Sequence, residues 1–473
     1  MHLCNYPIFV EDLDSEYIKK MMRNTPPYLY EKKSYKPYKM GVITDIHLDL
    51  QYKENTSSVC HFTMCCRDQE APIVTNLTRA GKFGHLGQWC SIPSITFTSA
   101  LESLKDKNAS FILWLGDTFP ADIFNIDHYQ IFNVLNYATK ALQLLFPSKE
   151  QIFPLIGNHE SAPINQFDPF SDREHDFLNQ LGDIWKIWLD EDSIIRFKST
   201  GCYSYYFKDK NLRIIAFQTQ VFDSSNSYLW PNPTDPIGTL KWINYTLSLA
   251  EMNNEDVIII GHNVPNLQNA VSHWTLRYNS IVERYSNIIK GLYYGHKHQD
   301  YFYQMKSLFD GHVYKVTFSN PSLTTFGNVN PAYRIYEIDK MTNSPINHYT
   351  YRLYIDEANQ KGIAEWKLAY EFLHEYNVTE ITPESIEKII SRMWSDYEVY
   401  KRMLYIYYGE FISSESKEYI SNSSVGIRCL FNESDPVSLW NCLLNNKQKI
   451  MKKLVYKSLQ SIIFRKWGSI YFG

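Results

Sequence analysis

The sequence predicts an α/β layered domain, because short apolar runs ended by Gly or polar residues alternate with longer helical or irregular segments. A second observation adds to this: residue types that ligate metals stand just beyond the last apolar position of several runs, and four of these clusters follow a Gly. In an α/β sheet the carboxyl ends of the strands are where loops converge on a site. The pattern therefore predicts both the fold and the edge at which it acts.

The 473 residues suffice for a full core. With 44% hydrophobic and 21% charged residues and a net charge of -4, the chain is neither disordered nor an obligate nucleic-acid binder. It contains no uninterrupted run of about 18 apolar residues, the length a membrane-spanning helix needs. The N-terminal MHLCNYPIFVEDLDSEY lacks a signal-peptide pattern, since Asn5 and Pro7 break its apolar stretch. Cysteine usage points the other way. Cys60, Cys65, Cys66 and Cys90 crowd one loop and Cys429 and Cys442 lie near the end, which reads as loop stapling in an oxidising compartment. Adjacent Cys65 and Cys66 lack the C-x-x-C spacing of a zinc knuckle. Sequons at Asn55, Asn76, Asn108, Asn244, Asn377, Asn422 and Asn432 agree with a secreted or lysosomal protein. The expectation is that the start of the chain is truncated or misassigned.

Taken in order, residues 1–38 read as an extension with a short helix in SEYIKKMMRN and a Pro/Tyr/Lys-rich linker. A layered domain follows over 39–355, with strand-like runs MGVITD, FILWLGD, IFPLIGNHE, LRIIAFQTQ, DVIIIGHN, GLYYGHKH, KVTFSNP, YRIYEID and YTYRLYI. From 356 to 473 the text turns helical. NQKGIAEWKLAYEFLHEYN opens this region, and TPESIEKIISRMWSD follows with Thr382 as cap and Pro383 in the first turn. The last stretch, NKQKIMKKLVYKSLQSIIFRKW, is amphipathic and basic. It reads first as a docked helix with solvated lysines, and second as a candidate for peripheral contact with an anionic membrane.

The residues that carry chemistry are Asp45 and His47 (TDIH), Asp117 (LGD), Asn158 and His159 (GNHE), His262 (GHN), and His296 and His298 (GHKH). Each fragment alone has an ordinary explanation as a cap or a turn. Together, in this order and each after a strand, they predict a common site. Carboxylates, imidazoles and an amide oxygen form the mixed donor set that Zn²⁺ accepts, with Mn²⁺ or Fe as competitors. A bridging carboxylate permits two ions about 3.5–4 Å apart, which suits in-line attack at phosphorus.

This order of motifs resembles the calcineurin-like metallophosphoesterases. GNHESAPINQFDPF (157–170), NPSLTTFGNVNPAYRIYEID (320–339) and the cysteines resemble, more closely, the acid sphingomyelinase and acid sphingomyelinase-like phosphodiesterase branch. The resemblance covers roughly residues 39–445. It implies a layered β-sandwich flanked by helices, with a C-terminal helical subdomain carrying one disulfide. With only about 38 residues ahead of the core, the chain resembles the members that lack a saposin domain. One zinc is implied on Asp45, His47 and His298 and a second on Asn158, His262 and His296, with Asp117 bridging them. His159 is implied as the general acid that protonates the leaving group. The implied disulfides are Cys60–Cys65, Cys66–Cys90 and Cys429–Cys442, and Asn165 is a retained pocket residue.

Two positions depart from the branch. Ala121 and Asp122 stand where a His often follows the bridging Asp, and an acid there repels a phosphate unless it points away or binds a cation. Phe326 stands where sphingomyelinases have Tyr. The implied function is a dinuclear zinc phosphodiesterase acting on sphingomyelin to give ceramide and phosphocholine. A hydrolase of nucleotides or other soluble phosphodiesters is the alternative, and a catalytically silent secreted binding protein of the same fold is a third reading. Purple-acid-type phosphomonoesterases take a Tyr ligand where this chain has Pro120.

Overall fold

The computed structural model describes residues 12–450 apart from 24, 27–32, 35, 62–63, 69–73, 76, 88, 124–125, 233, 268 and 412–423. Its strands, in chain order, are β1 (Pro37–Ile43), β2 (Phe111–Trp114), β3 (Ile152–Pro154), β4 (Tyr203–Phe207), β5 (Leu212–Ala216), β6 (Asp256–Ile260), β7 (Ile289–Tyr294), β8 (Tyr301–Lys306), β9 (Val313–Ser319), β10 (Ala332–Asp339), β11 (Pro345–Leu353) and β12 (Trp366–Glu371). They form two six-stranded sheets, ordered β12-β11-β10-β1-β2-β3 and β4-β5-β6-β7-β9-β8. Side chains of both sheets contribute to one hydrophobic core.

Parallel pairing organises the centre of each sheet. β1, β2 and β3 run parallel in the first, and β5, β6, β7 and β9 in the second. Parallel neighbours need a crossover, and helices provide several: Ser94–Lys105 between β1 and β2, His128–Leu145 between β2 and β3, Thr239–Met252 between β5 and β6, and Ser272–Arg284 between β6 and β7. The helix His128–Leu145 starts sharply because Asp127 and Gln130 close a capping box, Gln130 N donating to Asp127 Oδ1 at 2.8 Å and Asp127 N to Gln130 Oε1 at 3.1 Å. The central strands are buried along most of their length, which explains their near-continuous apolar runs. Because these strands share a direction, their carboxyl ends and the loops that leave them gather at one edge of each sheet.

The stretch 359–377, expected as helix, is corrected by the structure. A short helix, Ile355–Lys361, leads into β12, which pairs antiparallel with β11, and Phe372–Tyr376 follows as another short helix. Good helix formers in IAEWKLAYE are overridden by the open edge of β11, whose backbone groups find partners only if the segment extends. Beyond it the chain is helical as expected, with Pro383–Ser395, Tyr397–Tyr407, Ser424–Asn432 and Pro436–Ile450. Thr382 caps the first of these, its Oγ1 accepting from Ser385 N at 3.2 Å. Aromatic contacts fasten this region to the second sheet, Phe302 of β8 meeting Phe431 and Tyr376 at ring separations of 5.4 Å and 5.3 Å.

Three disulfides join Cys60 to Cys65, Cys66 to Cys90 and Cys429 to Cys442. The basic stretch considered for membrane contact lies outside the described residues from 451 onward. Among the described residues, no helix is long and apolar enough to cross a membrane.

Candidate metal centre

The loops leaving β1, β2 and β3 meet those leaving β6 and β7, and all seven residues expected as ligands come together there. Their donor atoms fall into two groups, Asp45, His47 and His298 in one and Asp117, His262 and His296 in the other, and a third group of His47, Asp117 and His159 overlaps both, the atoms of each lying within 4.8 Å of one another. Asp117 touches both sides. Its Oδ2 lies 3.7 Å from His47 Nε2 and 3.0 Å from His262 Nε2. Asn158 joins the second group through Oδ1, which is 3.1 Å from His262 Nε2 and 2.8 Å from His296 Nδ1.

Backbone geometry aims these side chains. Asp45, His47, Asp117, His296 and His298 all adopt positive φ, between 43° and 73°. Non-glycine residues avoid this region, and its repeated use at one place marks a constrained functional site. Loops pack so closely that a Cβ on Gly157 would sit 2.2 Å from Asp117 Oδ1, and one on Gly295 2.0 Å from Thr44 Oγ1. The glycines ahead of these ligands are therefore required by close approach.

Three imidazoles are held by backbone carbonyls on their far side. His47 Nδ1 lies 2.8 Å from Phe119 O, His262 Nδ1 2.6 Å from Leu115 O and His298 Nδ1 2.9 Å from Phe326 O. A carbonyl only accepts, so each Nδ1 carries a proton, and in the neutral ring Nε2 is the nitrogen left to present a lone pair toward the shared space. That is the tautomer a metal ligand needs. Asp45 is held by Thr44 Oγ1, which donates at 2.7 Å, and by His296 N at 2.9 Å.

The electrostatics are those of a site built for cations. Asp45, His47 and His262 are fully buried and Asp117 nearly so. Burial, against the pull of His262 and with the push of Asp117, raises the Asp45 carboxyl to about 7. Burial also opposes a charge on His262, yet Asp117 and Asp45 lift it to about 9. Burial keeps His47 and His296 neutral, well below the usual imidazole range, and takes His298 down to about 4. The protons favoured on Asp45 and His262 are ones that a pair of divalent ions would displace, while His47, His296 and His298 are already neutral. The donor set therefore fits the expected metals.

His159 stands beside this set. Its backbone N donates to Asp117 Oδ1 at 2.8 Å, its ring meets His47 edge-on at 4.6 Å, and Nδ1 lies 3.2 Å from Pro120 O. Burial lowers its pKa while Asp117 opposes the shift. With Nδ1–H donated to the carbonyl, Nε2 faces away from it, a lone pair in the neutral ring and an N–H in the imidazolium.

The pocket residues take distinct places. Asn165, at φ 63°, accepts from Asn158 Nδ2 at 2.8 Å. The Phe326 carbonyl orients His298, and its ring lies 6.3 Å from that of His47. Asp122 binds a cation, Arg67 Nη1 at 2.8 Å. One residue carries more than sequence reasoning assigned to it. Glu160, the last letter of GNHE, is 1% exposed and accepts four backbone N–H groups: Gly157 and Asp117 at Oε2, 2.6 and 2.8 Å, and Thr118 and Phe119 at Oε1, 2.7 and 3.2 Å. It binds two ligand loops into one unit, and its position inside the motif was the available signal.

Comparison with known proteins identifies the family. Residues 38–300 match the calcineurin-like phosphoesterase family and residues 306–449 the acid sphingomyelin phosphodiesterase C-terminal region. Sphingomyelin phosphodiesterase B of Dictyostelium discoideum is 30% identical over 374 residues, covering 76% of this chain and 58% of that protein. Sphingomyelin phosphodiesterase of Bos taurus is 30% identical over 379 residues, covering 77% and 60%. Cyclic GMP-AMP phosphodiesterase SMPDL3A of Homo sapiens is 30% identical over 361 residues, covering 73% and 76%. The chain thus spans 58–60% of the length of the two sphingomyelin phosphodiesterases.

Proposed function

This chain belongs to the acid sphingomyelinase branch of the calcineurin-like phosphoesterases, and from that premise we propose that it is a dinuclear zinc phosphodiesterase. The observation that carries the reading is the meeting of Asp45, His47 and His298 with Asn158, His262 and His296 around the Asp117 carboxylate. In this reading Asp45, His47 and His298 hold one ion, Asn158, His262 and His296 the other, and Asp117 both. Bound there, the ions polarise the phosphoryl group and lower the pKa of an attacking water. The chain's own residues do the rest. The buried wall keeps bulk water from the ligands, and Pro120 O fixes the His159 ring. In the imidazolium form, which Asp117 favours, His159 passes its Nε2 proton to the leaving oxygen as that oxygen's bond to phosphorus breaks and keeps its Nδ1 proton on Pro120 O, so that no free alkoxide is expelled.

The substrate reading is sphingomyelin, cleaved to ceramide and phosphocholine, supported by the sphingomyelin phosphodiesterases among its relatives. A soluble nucleotide-type phosphodiester is the second reading, supported by the larger share of the human cyclic GMP-AMP phosphodiesterase that this chain covers, 76%. The disulfides and sequons support a secreted or lysosomal location; glycan on the native protein would agree, and uniformly reduced, unglycosylated protein would oppose it. The deciding experiment measures turnover of bis(p-nitrophenyl) phosphate, sphingomyelin in anionic liposomes and a cyclic dinucleotide, with and without a chelator. Chelator-sensitive hydrolysis is expected, and its absence on every substrate would end the enzymatic reading. On sphingomyelin or the cyclic dinucleotide, whose leaving alkoxides need a proton, His159→Ala should keep its metals and lose about 10²–10⁴-fold in turnover. An unchanged rate with metal content near two would remove His159 from its role.

A further inference from the structure

We propose that Arg67 is a positioning residue for His159, acting through the segment Phe119–Asp122. That segment carries the acceptors for two imidazoles of the site, Phe119 O for His47 Nδ1 at 2.8 Å and Pro120 O for His159 Nδ1 at 3.2 Å. The direction of both rings therefore depends on where this short piece of backbone lies. Its near end is fixed by Glu160, which takes the N–H groups of Thr118 and Phe119. Its far end is fixed from a different part of the chain. Arg67 Nη1 donates to Asp122 Oδ2 at 2.8 Å while Nε of the same guanidinium donates to Asp49 Oδ2 at 2.8 Å, and Ser91 Oγ accepts from Ala121 N at 3.1 Å.

The side chains that hold this far side share an origin. Arg67 follows Cys66 and Ser91 follows Cys90, and Cys66–Cys90 is a disulfide. The cross-link delivers both side chains together to residues 121–122, and Asp49, only 2% exposed, anchors the other edge of the guanidinium. A planar fork with fixed donor directions suits two carboxylates at once, whereas a lysine ammonium presents one point charge. The arrangement also accounts for an acid next to a phosphate site: Asp122 serves the guanidinium rather than the substrate. Carboxylates on both sides occupy Arg67, so its effect on turnover passes through the backbone it holds.

This inference rests on the general-acid reading of His159, and the test separates the two. Arg67→Ala and His159→Ala are compared with wild type on bis(p-nitrophenyl) phosphate, whose phenolate leaves without a proton, and on diphenyl phosphate, whose leaving group is a stronger base. Metal content is measured alongside. A displaced general acid should cost Arg67→Ala about tenfold more on diphenyl phosphate than on the nitrophenyl ester, with metal content still near two. Arg67→Lys should recover part of that difference. Equal losses on both esters in Arg67→Ala, while His159→Ala discriminates between them, would overturn the role of Arg67 alone. Equal losses in His159→Ala would overturn the general acid and this proposal with it. A crystal structure of Arg67→Ala, or of Asp122→Ala should the first variant not fold, gives a reading independent of turnover. The Pro120 carbonyl should have withdrawn from His159 Nδ1, and an unmoved contact would overturn the proposal.

Discussion

The amide of Asn158 is turned by Asn165: Asn158 Nδ2 donates to Asn165 Oδ1 at 2.8 Å, which leaves Asn158 Oδ1 facing His262 and His296. Without that hydrogen bond the amide is free to present its NH₂ to the cation instead. Asn165→Gly isolates the effect, because glycine tolerates the φ of 63° and removes only the side chain. Metal affinity should fall about 10–100-fold, the usual cost of removing a group that orients a ligand. Competition against a chromogenic chelator measures it, and unchanged affinity would show that Asn158 needs no such orientation.

Glu160 offers a stability test. Its two oxygens accept four backbone N–H groups, so every side of the carboxylate meets a donor. Glu160→Gln keeps the shape but turns an NH₂ toward two of those donors. The loss should be about 2–4 kcal/mol in unfolding free energy, from charge-assisted bonds removed and donors left unpaired. Urea unfolding of the two proteins reads this directly, and a difference below about 0.5 kcal/mol would mean that the loops are held by something else.

Much of this site was legible in the sequence because each expected ligand follows an apolar strand, so that Asp45, Asp117, Asn158, His262 and His296 could be placed at one edge without knowing any contact. What stayed illegible depends on meetings between loops. The cation partner of Asp122 lies 55 residues away on the disulfide-held loop, and nothing in GDTFPADIF points to Arg67. For Glu160 the motif GNHE marks the residue but not its grip on Asp117, 43 residues away. Positive φ at Asp45 or His298 is imposed by tertiary packing against the preference of these residues. Among the strands, β4 was missed because YSYYF alternates buried Tyr203, Tyr205 and Phe207 with partly exposed Ser204 and Tyr206 and contains no continuous aliphatic run. β12 was missed because its composition favours helix until β11 lies beside it.

Metal removal should cost stability as well as turnover. Stripping the ions leaves Asp45 and Asp117 buried around His262, and the burial that, together with repulsion from Asp117, raises the Asp45 carboxyl to about 7 is then offset by no divalent charge. Titrating zinc into chelator-stripped protein should raise the unfolding free energy by about 2.7 kcal/mol per site at a hundredfold excess over Kd, as mass action requires. Thermal unfolding followed across that titration checks it. A melting temperature that ignores zinc would mean that these residues do not bind it in the folded state.

His348 predicts how the fold responds to acid. It is 1% exposed on β11, ringed by Phe318, Tyr336, Tyr370 and Phe372, and its Nδ1 has no hydrogen-bond partner among the described residues. Burial, reinforced by the Arg334 guanidinium, holds its pKa well below the usual imidazole range. The folded state therefore keeps it neutral, while the unfolded chain takes up a proton below about pH 6.5. The unfolded state binds more protons in that window, so stability is full above it and falls as the solution is acidified. Between pH 7 and pH 5 this one residue should cost about 2 kcal/mol, at about 1.4 kcal/mol per unit below its unfolded pKa. His348→Phe suits the aromatic surroundings and cannot titrate. Its unfolding free energy relative to wild type should rise by that amount between the two pH values in urea denaturation, whatever the constant packing difference. A wild-type-to-variant difference that stays flat from pH 7 to pH 5 would mean that His348 is already protonated in the fold or becomes accessible to water before unfolding.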